Sequence, residues 1–246
     1  MKAMVLAAGL GTRLRPLTND RPKALVELGK KTLLEITLTR LQRFGVHEAI
    51  VNTHHFADQV EACLHAHQNF GMHIVISREE VLLDTGGGLK QAAPFFLEDG
   101  CDEPFVLHNV DVLSSIDLGA MVATHRERGA LATLAVQARK TSRYLLFDKD
   151  GVLCGRRSGA DGFEEHVGSA APVDALAFCG VHVISPRIFS LLNEDGVFPI
   201  VPAYLRLAGE GETIAAYRAD DAYWRDLGRP DSLTQAAADL ASGAVA

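Results

Sequence analysis

The 246-residue sequence has no run of about eighteen apolar residues, the least that spans a bilayer as a helix, so no membrane partner is expected. It also lacks a charged leader followed by an apolar stretch and a cleavage site, and enters a strand-like segment at Lys2; a cytoplasmic location follows as an expectation. Cysteines number four, and Cys63, Cys101, Cys154 and Cys179 lie too far apart for a zinc site or a redox pair, so buried free thiols are expected. Clustered Lys and Arg are missing from a chain of formal charge −7, which argues against a nucleic-acid surface but leaves small anionic substrates open if a basic pocket exists. The ten histidines include no set at zinc-ligand spacing: His54 and His55 are adjacent, and His65-x-His67 has no further partner. No internal repeat or low-complexity tract occurs.

What is present is a chain 48% hydrophobic, long enough for a full core and read as one domain over 1–246. Apolar β-rich runs at 2–8, 49–52 and 73–76 alternate with amphipathic stretches at 33–44 and 58–67, the pattern of βαβ units. Continuous apolar runs such as 5–8 and 105–107 suit strands covered on both faces, so the fold class is α/β with a doubly wound, mostly parallel (mixed) sheet. Further strands are expected at 131–136, 144–147, 152–154 and 177–184, with a hairpin turn at Asp150-Gly151, and helices at 186–192, 201–208 and 232–241. Residues 156–172, rich in Gly, Ser and charge, read as a mobile loop overhanging a site.

After the first strand comes Gly9-Leu10-Gly11-Thr12-Arg13-Leu14-Arg15-Pro16-Leu17-Thr18. Two glycines let backbone amides approach an anion, Thr12 adds a hydroxyl, and Arg13, Arg15 and Lys23 bring three cations suited to a triphosphate. The third glycine of the dinucleotide fingerprint would fall at Leu14, and the Gly-Lys-Ser/Thr of a P-loop is absent, so both are excluded. Spacing alone leaves a glycine-rich turn with solvated charges as the alternative.

The stretch 6–18, followed by Arg21-Pro22-Lys23-Ala24-Leu25, resembles the signature of the sugar-1-phosphate nucleotidyltransferases. The resemblance implies a Rossmann-like, glycosyltransferase-A-like fold, with 1–115 as nucleotide-binding half and 116–246 as sugar-binding half. It implies that Ala8, Gly9, Gly11 and Thr12 hold the triphosphate, that Arg13 activates the departing pyrophosphate, and that Lys23 contacts the phosphates at the reaction centre. NTP, with UTP or GTP foremost, and a sugar 1-phosphate are the implied partners of a monomer or homodimer.

A second set of residues concerns a metal. Asp111 ends the apolar run 105–111 at the carboxyl edge of the sheet, where open α/β proteins bind ligands, and Asp226 stands in Trp224-Arg225-Asp226-Leu227-Gly228-Arg229-Pro230. Two carboxylates suffice as the protein's share of a Mg²⁺ site, although a turn residue and a surface charge would read the same way. Both segments resemble family counterparts, an Asn-x-Asp and a Trp-x-Asp-x-Gly-x-Pro, whose aspartates bind the metal; Arg229 departs from the Thr of many members. The resemblance also makes Thr85 and Gly86 candidates for base contact, and Gly87, Asn109, Gly180 and Glu165 candidates for the sugar side. At 77–80, where many relatives carry a base-reading glutamine, the chain reads Ser-Arg-Glu-Glu.

The subgroup resemblance, through Leu83-Asp84-Thr85-Gly86-Gly87-Gly88 and Arg143-Tyr144-Leu145-Leu146-Phe147-Asp148, is to N-acetylmuramate 1-phosphate uridylyltransferases, with mannose-1-phosphate guanylyltransferases second. An inactive sugar-nucleotide-binding regulatory subunit is the rival of another class. A glycosyltransferase would need Asp-x-Asp where the chain has Asn109-Val110-Asp111.

Overall fold

The computed structural model describes residues 1–98, 100–159, 161–168 and 173–243. Strand β1 (Lys2–Leu6) buries Ala3, Met4 and Val5 completely. Ala3 and Val5 join one apolar cluster and Met4 another, because successive side chains of a strand point to opposite faces. A strand apolar at every position therefore needs cover on both sides. A hairpin of β2 (Glu27–Leu28) and β3 (Lys31–Thr32) leads into α1 (Leu33–Arg43). The Thr32 hydroxyl starts that helix by accepting from the Glu35 amide at 3.1 Å, and Leu34, Leu38 and Leu41 join the cluster of Ala3 and Val5.

Next come β4 (Glu48–Thr53), α2 (Ala57–Ala66), β5 (His73–Arg78), α3 (Asp84–Gln91), α4 (Ala93–Leu97) and β6 (Phe105–Asn109). Strands β6, β1, β4 and β5 run parallel, with Leu6 level with both Asn52 and Asn109, so their carboxyl ends form one edge. The chain continues through β7 (Val112–Ser114), α5 (Leu118–Glu127), β8 (Ala132–Gln137), β9 (Arg143–Phe147), β10 (Leu153–Ser158) and β11 (Glu164–His166). It ends with β12 (Asp174–Ile184), α6 (Ile200–Gly209), β13 (Ile214–Arg218), β14 (Trp224–Asp226) and α7 (Pro230–Ala241). Among the described residues the main sheet has ten strands, ordered β11-β10-β9-β12-β6-β1-β4-β5, with β8 also paired to β12 and β13 to β8. Helices α1, α2, α5 and α7 cover one face and α3, α4 and α6 the other, so the sheet is mixed and doubly wound.

Two local expectations change. Residues 186–192 form a 3₁₀ helix over Pro186–Ser190 rather than an α-helix. Most described residues of the supposed loop 156–172 belong to or adjoin strands: β10 continues to Ser158, and β11 pairs with it through Arg156–Glu165 at 2.6 Å and Arg157–Glu164 at 2.5 Å. Charge that reads as loop composition is here a cross-strand ladder of opposite charges; Ala160 and 169–172 lie outside the described residues. Of the thiols, Cys154 and Cys179 are buried, Cys63 is half-buried and Cys101 is exposed. No helix among the described residues is long and apolar enough to cross a membrane.

Three histidines are buried in the core. His108 and His182 are pushed down to about 3 and His125 to about 4, in each case first by burial and then by neighbouring charge. The unfolded chain takes up these protons near 6.5 and the folded chain only near 3 to 4. Stability therefore falls as the pH drops below 6.5, by up to about 1.4 kcal/mol per pH unit for each histidine. Denaturant unfolding at pH 7.0, 5.5 and 4.5 should show this steep loss; a flat profile would contradict the buried neutral state.

Candidate active site

The parallel strands end together, and the segments leaving them build a cavity of about 390 Å³ lined by Ala7, Ala8, Gly9, Lys23, Asn52, Glu79, Asp84, Thr85, Asn109 and Asp111 among others. Gly9 is exposed with open space where a side chain would stand, so a phosphate can reach the backbone there. Gly11 takes φ +64, and a Cβ on it would lie 3.0 Å from Thr18 Cγ2 and 3.2 Å from Lys23 Cβ. The Thr18 hydroxyl donates to the Gly11 carbonyl at 2.9 Å, closing the glycine loop over Lys23.

Lys23 opens a 3₁₀ helix after Pro22, and its ammonium donates to Asp111 Oδ2; both side chains are mostly buried. Asp111 lies between β6 and β7. Strand β14 runs antiparallel to β7 with Asp226 opposite Val112, and the Leu227 amide donates to the Asp111 carbonyl at 2.8 Å. The two aspartates, 115 residues apart in sequence, thus stand on neighbouring strand ends. Asp226 Oδ1 accepts from the Gly228 amide at 2.6 Å, and a Cβ on Gly228 would lie 2.7 Å from Arg13 Nη2, so the Arg13 guanidinium lies against this turn. Among the described residues no group of three or more His, Cys, Asp or Glu side chains could hold a metal, so the protein's share of any metal site here would be the two carboxylates Asp111 and Asp226, a number that Mg²⁺ accepts.

A second cavity, about 750 Å³, shares Asp84, Thr85 and Asn109 with the first and extends over Gly180, Trp224 and Asp226 toward β9 and β10. Gly180 takes φ +73 in a bulge of β12, and a Cβ on it would lie 2.7 Å from Asn109 Nδ2, so any larger residue would push Asn109 out of the junction. The Trp224 indole donates to the Cys179 carbonyl at 2.8 Å, and the Arg139 guanidinium stacks 3.6 Å over its ring. Burial pushes the Cys179 thiol up to about 11, so it stays protonated and is no nucleophile.

Some candidates are placed elsewhere. Gly86 and Gly87 line neither cavity; their amides donate to the Phe198 carbonyl at 2.9 and 3.2 Å, and added Cβ atoms would fall 2.3 Å from the Phe198 ring and from the Gly196 carbonyl oxygen. Their smallness serves close packing of α3 against 196–198. Gly86→Ala is accordingly expected to destabilise by about 1–3 kcal/mol through overpacking. Calorimetry should show a fall in Tm; an unchanged Tm would return Gly86 to a ligand role alone. Thr85 lines both cavities while its hydroxyl accepts from the Ile200 amide at 3.0 Å, capping α6. Glu165 lines neither, its carboxylate being taken by Arg156, and Gly11 and the exposed Thr12 and Arg13 line neither.

Sequence reasoning missed Asn52 and Glu79 as a pair. Asn52 Oδ1 accepts from the Ala7 amide at 2.7 Å, its Nδ2 donates to Glu79 Oε1 at 2.6 Å, and Glu79 Oε2 accepts from the Leu83 amide at 2.9 Å. This buried chain ties the glycine loop to the start of α3 and forms a wall of the first cavity. The available signal was position: both residues stand at carboxyl ends of parallel strands.

A family model described as Nucleotidyl transferase matches residues 2–243. The chain is 39% identical over 247 residues to the N-acetylmuramate alpha-1-phosphate uridylyltransferase of Caulobacter vibrioides, covering 97% of this chain and 96% of that protein. It is 29% identical over 243 residues to the mannose-1-phosphate guanyltransferase of Yarrowia lipolytica, covering 94% of this chain but only 61% of that longer protein. Among solved structures, HddC from Yersinia pseudotuberculosis complexed with GMP-PN superposes with a TM-score of 0.75 at 20% identity, over 97% of this chain and 99% of that one, a likeness of fold.

Proposed function

Since the chain belongs to the nucleotidyl transferase family, we propose that it transfers a nucleotidyl group from an NTP to a sugar 1-phosphate in the cytoplasm, releasing pyrophosphate, with UTP and N-acetylmuramate 1-phosphate as its substrates. The observation that carries this reading is the meeting of two cavities at Asp84, Thr85 and Asn109, with Asp111 in the wall of the first and Asp226 in the wall of the second. Each cavity suits one substrate, and the junction is where their phosphates would meet. The choice of substrates rests on the full-length likeness to the Caulobacter uridylyltransferase.

An oxygen of the sugar 1-phosphate attacks the α-phosphorus in line, and pyrophosphate leaves with the bonding pair. The nucleophile is already anionic, so no side chain need remove a proton. Positioning and charge offset then supply the rate. The Ala8 and Gly9 backbone receives the triphosphate, Lys23 offsets charge at the centre, and Arg13 offsets charge on the leaving group. Asp111 and Asp226 fit a Mg²⁺ ion, which normally takes one or two carboxylates and completes its shell with phosphate oxygens and water; when bound it would neutralise phosphate charge.

GTP with mannose 1-phosphate is the second reading, favoured by Glu79 in the wall of the first cavity. Both Glu79 oxygens already accept a bond, from Asn52 and from the Leu83 amide, and their remaining lone pairs could meet the two adjacent donors of guanine, where uracil presents one. The test is pyrophosphate release with Mg²⁺ over a matrix of four NTPs against N-acetylmuramate, mannose, glucose, N-acetylglucosamine and heptose 1-phosphates. Turnover led by UTP with N-acetylmuramate 1-phosphate supports the proposal, and turnover led by GTP with mannose 1-phosphate replaces it with the second reading. Silence from a folded protein that binds NTP would favour a regulatory subunit.

A further inference from the structure

The outer end of the second cavity is lined by cations. Arg139, Arg143, Arg156 and Arg157 face it, whereas its two aspartates, Asp84 and Asp226, belong to or adjoin the junction end. Arg156 and Arg157 are held in place by glutamates of β11, which take the Nε of each. Among the described residues nothing accepts a hydrogen bond from their terminal nitrogens, and the Arg143 guanidinium has no hydrogen-bond or ion-pair partner at all. In the β9–β10 ladder Arg143 stands opposite Ser158 and Leu145 opposite Arg156, so Arg143 and Arg156 share one face of the sheet. Glu165 braces Arg156, and the remaining donors of both side chains are left open.

A neutral sugar gives such a wall little to bind, since hydroxyls are weak partners for a guanidinium, and a guanidinium drawn from water needs an anion to offset the loss. The phosphate of the sugar 1-phosphate cannot be that anion if it sits at the junction. From β6, which carries Asn109, to β9, which carries Arg143, the sheet crosses two strand spacings, or about 10 Å, the span of a pyranose ring with a substituent.

The geometry points to Arg143, with Arg156 beside it, as the group that selects a sugar 1-phosphate bearing a carboxylate on the side of the ring away from its phosphate. This rests on the proposed function above and goes beyond it by assigning the discrimination to named residues. The planar fork of Arg143 accepts a carboxylate in the bidentate manner, and Arg156 adds charge from the same face.

N-acetylmuramate 1-phosphate and N-acetylglucosamine 1-phosphate differ only in the lactyl ether that carries the carboxylate, so the ratio of their kcat/KM values with UTP isolates the interaction. Wild-type protein should favour the acidic sugar. In Arg143→Ala that ratio should fall about 10- to 150-fold, the worth of a charged hydrogen bond, mainly through a higher KM for the acidic sugar. Arg143→Lys should fall between the two. An unchanged ratio in Arg143→Ala, or a wild-type preference for the neutral sugar, would overturn the assignment while leaving nucleotidyl transfer intact. If neither sugar turns over, the function itself fails, and calorimetric binding of the two sugar phosphates decides the assignment: tighter binding of the acidic one, lost in Arg143→Ala, upholds it, and equal binding overturns it.

Discussion

Asp111→Asn is expected to lower turnover by about 10³-fold or more while leaving the fold in place, a size set by the cost of removing a group that stabilises charge at a reacting phosphate. The substitution keeps shape and volume and removes one negative charge. Two things are lost with it: a carboxylate of the proposed metal pair, and the counter-ion of Lys23, whose ammonium is bound to Asp111 in a mostly buried contact. Because Asn can still accept from the Leu227 segment through its unchanged backbone, the β7–β14 pairing should survive. Steady-state kinetics with circular dichroism and a melting curve separate the two effects. Near-normal activity in the folded variant would remove Asp111 from the chemistry.

Lys23→Ala is expected to cost about 10²- to 10³-fold in kcat, with a smaller change in the KM for NTP, since the cation is proposed to act on charge that grows at the reaction centre. It also leaves Asp111 without its cation. Residues that work as a unit do not add, so the double variant Lys23→Ala/Asp111→Asn should be little worse than Asp111→Asn alone. Independent, multiplying losses would mean that the contact between the two side chains has no part in the mechanism. A loss confined to KM would place Lys23 in substrate capture.

How far these features were legible differs by residue. The β1 strand and the loop after it could be read because local chemistry dictates both: an apolar run at consecutive positions, then Gly11, whose conformational freedom the loop uses, and Gly9, whose missing side chain leaves the backbone open. Asp111 was legible for the same reason, as a carboxylate at the end of an apolar strand. The contact of Lys23 with Asp111, and the placement of Asp226 beside it, are products of chain crossing, and no local pattern encodes which strand end meets which. Gly86 and Gly87 misled because a glycine required by close packing and a glycine required by a ligand look alike in sequence; only the position of Phe198 and Gly196 distinguishes them. The Arg156–Glu165 and Arg157–Glu164 pairs misled in the opposite sense, since charges that would repel order in a free loop stabilise it once two strands bring them face to face. Asn52 and Glu79 were legible only through topology, as neighbours at one sheet edge.

The most direct test of nucleotidyl transfer follows the phosphorus atoms. With UTP labelled separately at the α- and γ-phosphorus, in the presence of N-acetylmuramate 1-phosphate and Mg²⁺, the α label should appear in a UDP-sugar and the γ label in pyrophosphate. Recovery of the γ label as inorganic phosphate, or of the α label only in UMP, would mean that water rather than the sugar phosphate is the acceptor and would contradict the account.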